Sequence, residues 1–362
     1  MARTTRVDDG FYSTFVLRPL SQPLTTWSIR HGASPNTITI LSMLLAIAAA
    51  ALFALGQWPA YVAGALLLQV SLVVDCVDGD VARATGRTSP LGAWLDASTD
   101  RVKEALAYGG LAIGAAVNGH DAWLIAIGLL ALQSVRHMSD YTFAAMRGTS
   151  AAARTGASGW RHWLRKIAYL PIGERWLILS LAVIVAGPTW ALWALLAASA
   201  VSFGFSTLQR IRRTSTLPLT DSEATIVALQ ADHGPLLFAM RLPARSRWSW
   251  TLPPIERLIE YAVLIAVAWP LSASGQAAAF AWLLVVVFHH YDLLYRAVQG
   301  RAMPRWINVA GLGVEGRIIV LVIAYALVWT VPLLAWGAAW GGLLFVIIAS
   351  VQWIRVLKES SA

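Results

Sequence analysis

Charged residues are scarce in this chain of 362 residues. Only 13% are Asp, Glu, Lys or Arg, against roughly 25% in an ordinary soluble domain. So few charges, beside 57% hydrophobic residues, exclude a typical soluble protein. Cysteine is almost absent too, and the single residue, Cys76, excludes an intramolecular disulfide. The composition therefore predicts a protein that crosses a membrane several times.

The apolar residues gather in runs long enough to cross a bilayer, which takes about 20 residues for a helix. Helices are the element to expect there, because a helix satisfies all of its own backbone groups. The fifth run is short unless residues 169–173 join it. The sequence thus predicts an all-α fold with ten spans, at 34–56, 58–78, 91–117, 121–146, 174–187, 189–209, 255–272, 276–297, 315–334 and 338–354.

Lysine and arginine are missing from every second turn between these runs. The turns without them are 56–60, 118–121, 187–189, 272–276 and 336–341. The other loops and the termini hold nearly all basic residues, as cytoplasmic segments do. We therefore expect a multi-pass plasma-membrane protein with both termini in the cytoplasm. The net charge of +9 is dispersed over these loops, which favours anionic lipid headgroups over nucleic acid as the partner.

Polar and apolar stretches predict four regions. They are 1–33, 34–213, 214–252 and 253–362. The first resembles an amphipathic segment lying in the membrane interface, broken by Pro19 and Pro23. The second holds the first six spans, and the third is a cytoplasmic linker or small subdomain with short strands predicted at 225–230 and 236–242. The last is an accessory membrane domain with about four spans and no assigned role.

Four aspartates lie close together in a stretch where the flanking segments hold almost no charge. Asp75 and Asp78 are three residues apart at the end of the second span, and Asp96 and Asp100 are four apart in the third. Each pair therefore shares one face of a helix. Carboxylates at the edge of a membrane need a compensating partner, and divalent cations are one such partner.

A short turn joins the two helices that carry these aspartates. It runs from Thr85 to Pro90, with Ser89 as the expected N-cap and Pro90 as the first helical residue. Two helices joined so tightly bring their faces together, so the four carboxylates are expected to converge. Hard oxygen ligands of this kind suit Mg²⁺, Mn²⁺ or Ca²⁺ rather than zinc.

Small residues and one arginine surround the expected carboxylate cluster. Gly79, Ala82 and Gly92 leave room for a ligand to approach closely. Arg83 supplies a forked cation that suits phosphate oxygens. Together they describe a site for a nucleotide diphosphate. The alternative is a purely structural network, in which the acids are neutralised by nearby basic residues, namely Arg83, Arg87, Arg101 and Lys103.

The string DxxDGxxAR, followed after eight residues by GxxxDxxxD, resembles the signature of the CDP-alcohol phosphotransferases at every fixed position. Three supporting strings are SPNTIT at 34–39, GERW at 173–176 and LQRIRR at 208–213. The resemblance implies a core of six helices, usually in a homodimer. It also implies transfer of a substituted phosphate from a CDP-linked donor to an alcohol, with release of CMP.

Carried over position by position, the resemblance assigns roles to the motif. Asp75, Asp78, Asp96 and Asp100 would hold two Mg²⁺ or Mn²⁺ ions, and Asp100 would also be the general base. The nucleotide would contact Asp75, Gly79, Ala82, Arg83 and Gly92. The expected donor is CDP-diacylglycerol and the expected acceptor is inositol phosphate or a similar polyol phosphate. The alternative donor is CDP-inositol or another CDP-linked polar alcohol.

Arginines are the candidates for binding the acceptor phosphate. Arg101 directly follows the last aspartate, which resembles the phosphatidylinositol-phosphate and di-inositol-phosphate branches of the family. Arg175 and Arg210 fall where those enzymes place arginines for the acceptor. The alternative is that both anchor lipid headgroups at helix ends.

Two further polar clusters interrupt the apolar runs. Arg136, with His137 and Asp140 in the fourth span, either lines the acceptor cavity or forms a self-neutralising cluster. Residues 289–292 (HHYD), near Arg296, are predicted to form a buried hydrogen-bonded cluster. Adjacent histidines point about 100° apart on a helix and make a poor metal site.

A transporter is the rival from another class, because ten spans with internal ionisable groups are typical of one. A transporter places its functional residues near the bilayer midplane, whereas the aspartate motif lies at the inner edge. A further alternative is that the accessory domain is a docking platform for a partner.

Overall fold

Helices form every regular element in the part of the chain that the computed structural model describes, which is residues 10–147, 159–216, 229, 232–234, 246–301 and 303–360. This confirms the all-α fold class. In the N-terminal half, a π-helical turn at Ser13–Leu17 leads into α1 (Arg18–Arg30), α2 (Pro35–Ala54), α3 (Trp58–Thr85), α4 (Pro90–Val117), α5 (Trp123–Arg147), α6 (Trp160–Ala168) and α7 (Ile172–Thr214). In the C-terminal half, a 3₁₀ turn at Ser249–Thr251 precedes α8 (Leu252–Ala268), α9 (Ala273–Val298), α10 (Arg305–Ala310), α11 (Gly313–Ala326) and α12 (Thr330–Ser360).

Helix α1 packs against α3 with its polar side. Its buried residues include Ser21, Thr25 and Ser28, whereas Leu20, Leu24 and Trp27 are exposed. An outward apolar face suits a helix that lies in the membrane interface. The predicted break at Pro19 and Pro23 is wrong, because α1 continues through both. Proline in the first turn needs no N–H partner, so Pro19 is tolerated there.

The α3–α4 hairpin follows the turn chemistry that its sequence predicts. Helix α3 ends at Gly86, whose φ of 67° lies in the left-handed region that favours glycine. Helix α4 begins at Pro90, and the Ser89 hydroxyl accepts a hydrogen bond of 3.0 Å from the Gly92 amide. Helix α2 packs against both arms of this hairpin. These contacts fix the faces that carry the aspartates.

Six helices are long and apolar enough to cross a membrane within the described chain. They are Pro35–Ala54, Trp58–Thr85, Ile172–Thr214, Ala273–Val298, Trp306–Ala326 and Thr330–Ala349. The fifth and sixth predicted runs both lie in α7, which departs from helical geometry at Gly187 before Pro188. The other predicted spans, in α4, α5 and α8, are helical as well. Helix α4 is not among the six membrane-crossing candidates because it holds several charged residues. Helix α8 is not among them because it has only 17 residues.

The predicted turn at 336–341 is wrong. Helix α11 ends at Ala326, and α12 runs unbroken through 336–341 from Thr330. The turn lies at 327–329, where Val328 has a φ of 61°. Glycines at 337 and 341 stay helical because they pack against α9: a Cβ at Gly341 would lie 2.6 Å from a Val285 methyl group.

Contacts divide the chain into two compact units. The first takes in Met1–Leu129 with Ala153–Ser206, and the second Leu130–Ala152 with Thr207–Ala362. The boundary therefore falls inside α5 and α7. The four sequence regions stay predictions, and the two predicted strands lie outside the described residues except for Leu229.

Candidate active site

Three of the four predicted aspartates meet on the α3–α4 hairpin. Asp75, Asp78 and Asp96 each offer a carboxylate oxygen, and these oxygens lie within 4.8 Å of one another. Helical spacing explains the convergence, because each arm of the hairpin turns its acids toward the other. Asp100 is not a member of this group of three. It lies one turn further along α4 and is linked to the group through a lysine.

Hydroxyl groups of α2 hold two of these carboxylates. Thr39 donates a 2.5 Å hydrogen bond to Asp78, and Ser42 donates one of 3.2 Å to Asp75. The Ser71 hydroxyl in turn donates to the Ser42 carbonyl oxygen at 2.7 Å. Sequence analysis missed these partners because they come from another helix, although Thr39 lies within the SPNTIT string.

Lys103 is the basic residue that reaches into the aspartate cluster. Its ammonium donates to Asp75 and, at 3.2 Å, to Asp100. The side chain is only 1% exposed. The two carboxylates therefore offset the free-energy cost of removing the ammonium from water. Lys103 thus neutralises part of the motif, as the purely structural alternative predicted. Two of the arginines named in that alternative pair with other acids: Arg83 with Asp80 at 2.5 Å, and Arg101 with Glu104 at 2.7 Å.

The donor set fits a divalent cation. Three carboxylate oxygens within 4.8 Å of one another offer the hard ligands and the negative charge that Mg²⁺ or Mn²⁺ requires. A second cation between Asp75 and Asp100 would compete with the Lys103 ammonium for the same oxygens. Whether the hairpin holds one ion or two therefore depends on Lys103.

The Arg83 guanidinium is held beside the cluster by a buried acid. Arg83 and Arg18 both donate to one oxygen of Asp80, at 2.5 and 2.9 Å. A Cβ at Gly79 would lie 3.0 Å from a guanidinium nitrogen of Arg83, so glycine leaves room for that side chain. Sequence analysis did not single out Asp80 or Arg18, since no spacing rule links α1 to α3.

The other two small residues of the motif lie near the hairpin turn. Gly92 donates its amide to the Ser89 cap, and a Cβ there would lie 3.2 Å from the Ser89 oxygen and 3.4 Å from Asn36. Glycine therefore preserves the cap as well as space near the aspartates. Ala82 lies half-buried on α3, between Asp78 and the turn.

The three acceptor candidates all carry buried guanidinium groups. In the first unit, Arg175 pairs with Glu104 and donates to the Leu170 carbonyl oxygen at 3.3 Å. In the second unit, Arg210 pairs with Asp140 and donates to Ser139 at 2.5 Å. Arg136 is buried in that unit as well. Protein carboxylates thus already neutralise Arg175 and Arg210.

The predicted hydrogen-bonded cluster around residues 289–292 is confirmed. Nδ1 of His290 bonds to the Tyr261 hydroxyl at 2.7 Å, and Arg296 donates to Asp292 at 2.6 Å. The neighbouring His289 bonds to Asp232 at 3.0 Å. Asp232 is fully buried, and nothing in its local sequence distinguishes it from a loop residue.

Asp232 is the centre of a polar cluster inside the second unit. Arg317 donates to its carboxylate at 2.6 Å, and Arg257 donates at 3.3 Å. Burial alone would raise the pKa of Asp232, but the charge of Arg317 and hydrogen bonds from His289 and His290 hold that pKa well below its usual range.

Comparison with known proteins divides the chain in two. Residues 33–205 match the family model described as CDP-alcohol phosphatidyltransferase, and residues 224–360 match a family of unknown function. The first match contains all the signature residues from Asp75 to Asp100.

Two synthases are among the relatives that the chain matches. Phosphatidylinositol phosphate synthase from Streptomyces avermitilis is 35% identical over 139 residues, covering 38% of this chain and 54% of the relative. Archaetidylinositol phosphate synthase from Aeropyrum pernix is 44% identical over 84 residues, covering 23% of this chain and 42% of the relative. The chain thus spans about half the length of the curated relatives it matches.

Among solved structures, the chain is similar to phosphatidylinositol phosphate synthase from Mycobacterium tuberculosis with CDP-DAG bound. The TM-score is 0.39 and the identity 24%, over 56% of this chain and 96% of that chain. The aspartate signature, its geometry on the hairpin and the family match agree. Residues 33–205 of this chain are thus similar in sequence to the CDP-alcohol phosphatidyltransferase family.

Proposed function

We propose that this chain is an integral membrane CDP-alcohol phosphotransferase. The observation that carries the proposal is the meeting of Asp75, Asp78 and Asp96 within 4.8 Å, on the hairpin that also presents Arg83. Three acids and a forked cation at one place suit a pyrophosphate with its divalent metal. The family match over residues 33–205 supports the same reaction class.

The motif residues divide the work by their chemistry. Asp75, Asp78 and Asp96 would hold Mg²⁺ or Mn²⁺, and Asp100 would share a second ion if Lys103 gave up its bonds. Such a cation would supply positive charge to offset that of the diphosphate. Arg83, oriented by Asp80 and Arg18, binds diphosphate oxygens, while Gly79, Ala82 and Gly92 leave room for the nucleotide.

Asp100 is the proposed general base. The acceptor hydroxyl oxygen forms a bond to the donor's lipid-bearing phosphorus as the bond from that phosphorus to the CMP oxygen breaks. The hydroxyl proton passes to Asp100, and CMP leaves with the bonding electron pair. The Lys103 ammonium, 3.2 Å from Asp100, orients this carboxylate toward the cluster.

We propose CDP-diacylglycerol as the donor and inositol phosphate or a similar polyol phosphate as the acceptor. The support is the similarity to the Streptomyces relative, a phosphatidylinositol phosphate synthase. Among the acceptor candidates, Arg175 would have to exchange its Glu104 partner for the acceptor phosphate. A homodimer in the plasma membrane, with the site facing the cytoplasm, completes the proposal.

The test is CMP release by the purified full chain in lipid nanodiscs. CDP-diacylglycerol and Mg²⁺ are supplied with a panel of alcohols, among them inositol and inositol phosphate. We expect CMP only with an acceptor, and at least about a hundredfold loss in Asp78→Asn, because this carboxylate would hold the cation that offsets the charge of the diphosphate. Asp121→Asn is the matched control, because Asp121 is exposed, outside the site, and asparagine caps helices as well as aspartate does.

Two results would contradict the proposal. One is no CMP with any CDP-linked donor, including CDP-inositol, in protein that is monodisperse and binds Mn²⁺. The other is CMP release that Asp78→Asn and Asp121→Asn leave equally intact.

A further inference from the structure

A cavity lies inside the unit that contains the match to the family of unknown function. Its volume is about 330 Å³, and its walls come from α9, α11, α12 and the segment around Gly311. Every residue of the wall belongs to the second unit, so the cavity is independent of the aspartate hairpin. The proposed transferase reaction assigns no role to it.

The walls are apolar for most of their length. The lining includes Trp282 of α9 and Trp336, Trp340 and Leu344 of α12. Trp336 and Trp340 are also 77% and 60% exposed on the outside of the protein. Helix α12 is long and apolar enough to cross a membrane, so a wall it forms borders on hydrocarbon. An occupant can therefore enter from the bilayer.

The length of the cavity matches one lipid leaflet. Its lining on α9 extends from Trp282 to Asp292, which is about 15 Å at 1.5 Å per residue. The hydrocarbon core of a bilayer is about 30 Å thick, so the cavity spans roughly one leaflet. A single extended hydrocarbon chain fits such a space.

One end of the cavity is polar but carries balanced charge. His289, Asp292 and Arg317 line it. Arg317 pairs with Asp232 at 2.6 Å and with Glu260 at 2.5 Å, and Asp292 pairs with Arg296. A ligand phosphate or carboxylate bound at this end would find no cation that lacks a carboxylate partner. Burying such a charge without a partner is costly. The end therefore suits a neutral headgroup.

His289 indicates which kind of neutral headgroup the cavity would bind. A carboxylate accepts hydrogen bonds only, so the 3.0 Å bond to Asp232 makes Nε2 of His289 the donor. In the neutral ring, Nδ1 is then an acceptor. Since His289 lines the cavity, a ligand O–H can donate to this nitrogen. A carboxylate or phosphodiester headgroup has no such proton to donate.

We propose that this cavity binds a neutral lipid alcohol: one long hydrocarbon chain packed against the lining residues of α9, α11 and α12, with its hydroxyl donating to Nδ1 of His289. The ligand class follows from the apolar walls, the leaflet-length space, the balanced charges and the acceptor nitrogen.

Photocrosslinking of the full chain in detergent micelles tests the site. The probes are hexadecanol and palmitic acid, each with a diazirine on the chain. We expect the alcohol to label peptides of α9 and α12 at least about fivefold more than the acid, and excess unlabelled hexadecanol to remove that labelling. Leu344→Trp fills the cavity and should reduce labelling at least fivefold. Leu343→Trp is the matched control, because Leu343 is 56% exposed on the same helix.

A second variant tests the headgroup contact. His289→Leu should lower alcohol labelling to the level of the acid, while His289→Gln, which keeps an acceptor oxygen, should retain part of the preference. Equal labelling by both probes in the unaltered chain would overturn the proposal. So would labelling of α9 and α12 that unlabelled hexadecanol does not compete away, a result that needs no variant to fold. Because the readout is crosslinking, failure of CMP release leaves this result unaffected.

Discussion

At the scale of single residues, the site combines cation-binding acids with a lysine that satisfies two of them. Asp75 accepts from both Ser42 and Lys103, so its oxygens are shared between the protein and any metal. Lys103 neutralises the cluster when no cation is bound. Its ammonium therefore competes with a metal, and the strength of this competition sets the metal affinity.

Lys103→Met should strengthen Mn²⁺ binding. Removing the buried ammonium leaves Asp75 and Asp100 without their cation, which destabilises the metal-free protein and favours a replacement charge. We expect Mn²⁺ affinity to rise about tenfold, equivalent to 1.4 kcal/mol, or a second ion to bind. Isothermal titration of Mn²⁺ into the full chain measures both.

Lys166→Met is the control for this substitution, because Lys166 lies on α6 with its ammonium 5.2 Å from the Trp163 ring centre. Mn²⁺ affinity and stoichiometry unchanged by Lys103→Met would show that Lys103 does not compete with the metal.

At the scale of elements, the α3–α4 hairpin decides where the acids lie. Its turn combines a left-handed Gly86 with the Ser89 cap and Pro90 at the start of α4. Helix α2 then supplies Thr39 and Ser42 from outside the hairpin. Loss of the cap should therefore loosen the start of the helix that carries Asp96 and Asp100.

Ser89→Ala should lower the free energy of unfolding by about 1 kcal/mol, the usual cost of losing an N-cap. Thermal unfolding followed by intrinsic fluorescence in detergent measures the change as a lower midpoint. Ser34→Ala is a close control, because Ser34 occupies the N-cap position of α2, also before a proline, but its side chain makes no capping bond. Equal midpoint shifts in the two variants would contradict the role of the cap.

Local spacing was sufficient to predict the elements of the hairpin. The i to i+3 and i to i+4 spacing of the acids, the cap and the terminal proline are all short-range signals. The partners from other helices were not predictable this way, since Thr39 reaches Asp78 and Arg18 reaches Asp80 only through packing. The turn before α12 was misplaced for a related reason: Gly337 and Gly341 read as turn residues, but close packing against α9 keeps them helical.

At the scale of the whole molecule, two units have two kinds of polar interior. The first unit pairs two buried acids, Asp80 and Glu104, with arginines and also holds the three-aspartate cluster, whose oxygens fit a cation. The second unit pairs its buried acids with arginines. Asp232 is the clearest case, with Arg317 and Arg257 both donating to it. Its charge is therefore part of the stability of the second unit.

Asp232→Asn should destabilise the chain at neutral pH by about 3 kcal/mol. The substitution removes one of the two buried carboxylates that face Arg257 and Arg317, and Glu260 then faces both cations. The folded pKa of Asp232 is depressed, so its stabilising contribution is complete above the unfolded pKa of about 3.9. That contribution is lost as the pH falls through the folded value. The variant should thus be less stable than the unaltered chain at pH 7. Its free energy of unfolding should also lack the decrease that protonation of Asp232 causes at low pH.

Thermal unfolding of both proteins at pH 7 and below pH 4 gives the comparison, with Asp121→Asn as the exposed control. A variant as stable as the unaltered chain at pH 7 would show that the Asp232 charge contributes nothing to the second unit.

The boundary between the two units runs through the interiors of α5 and α7 instead of through a loop. Ser134 bonds to Tyr261, and Thr142 bonds to the Trp250 carbonyl oxygen. A fragment that stops at residue 205 would include the whole matched region. It would lack Trp250 and Tyr261, however, and would expose the polar groups of α5 that these residues now contact. A different C-terminal half would have to supply other partners for Ser134 and Thr142, or leave them without these hydrogen bonds.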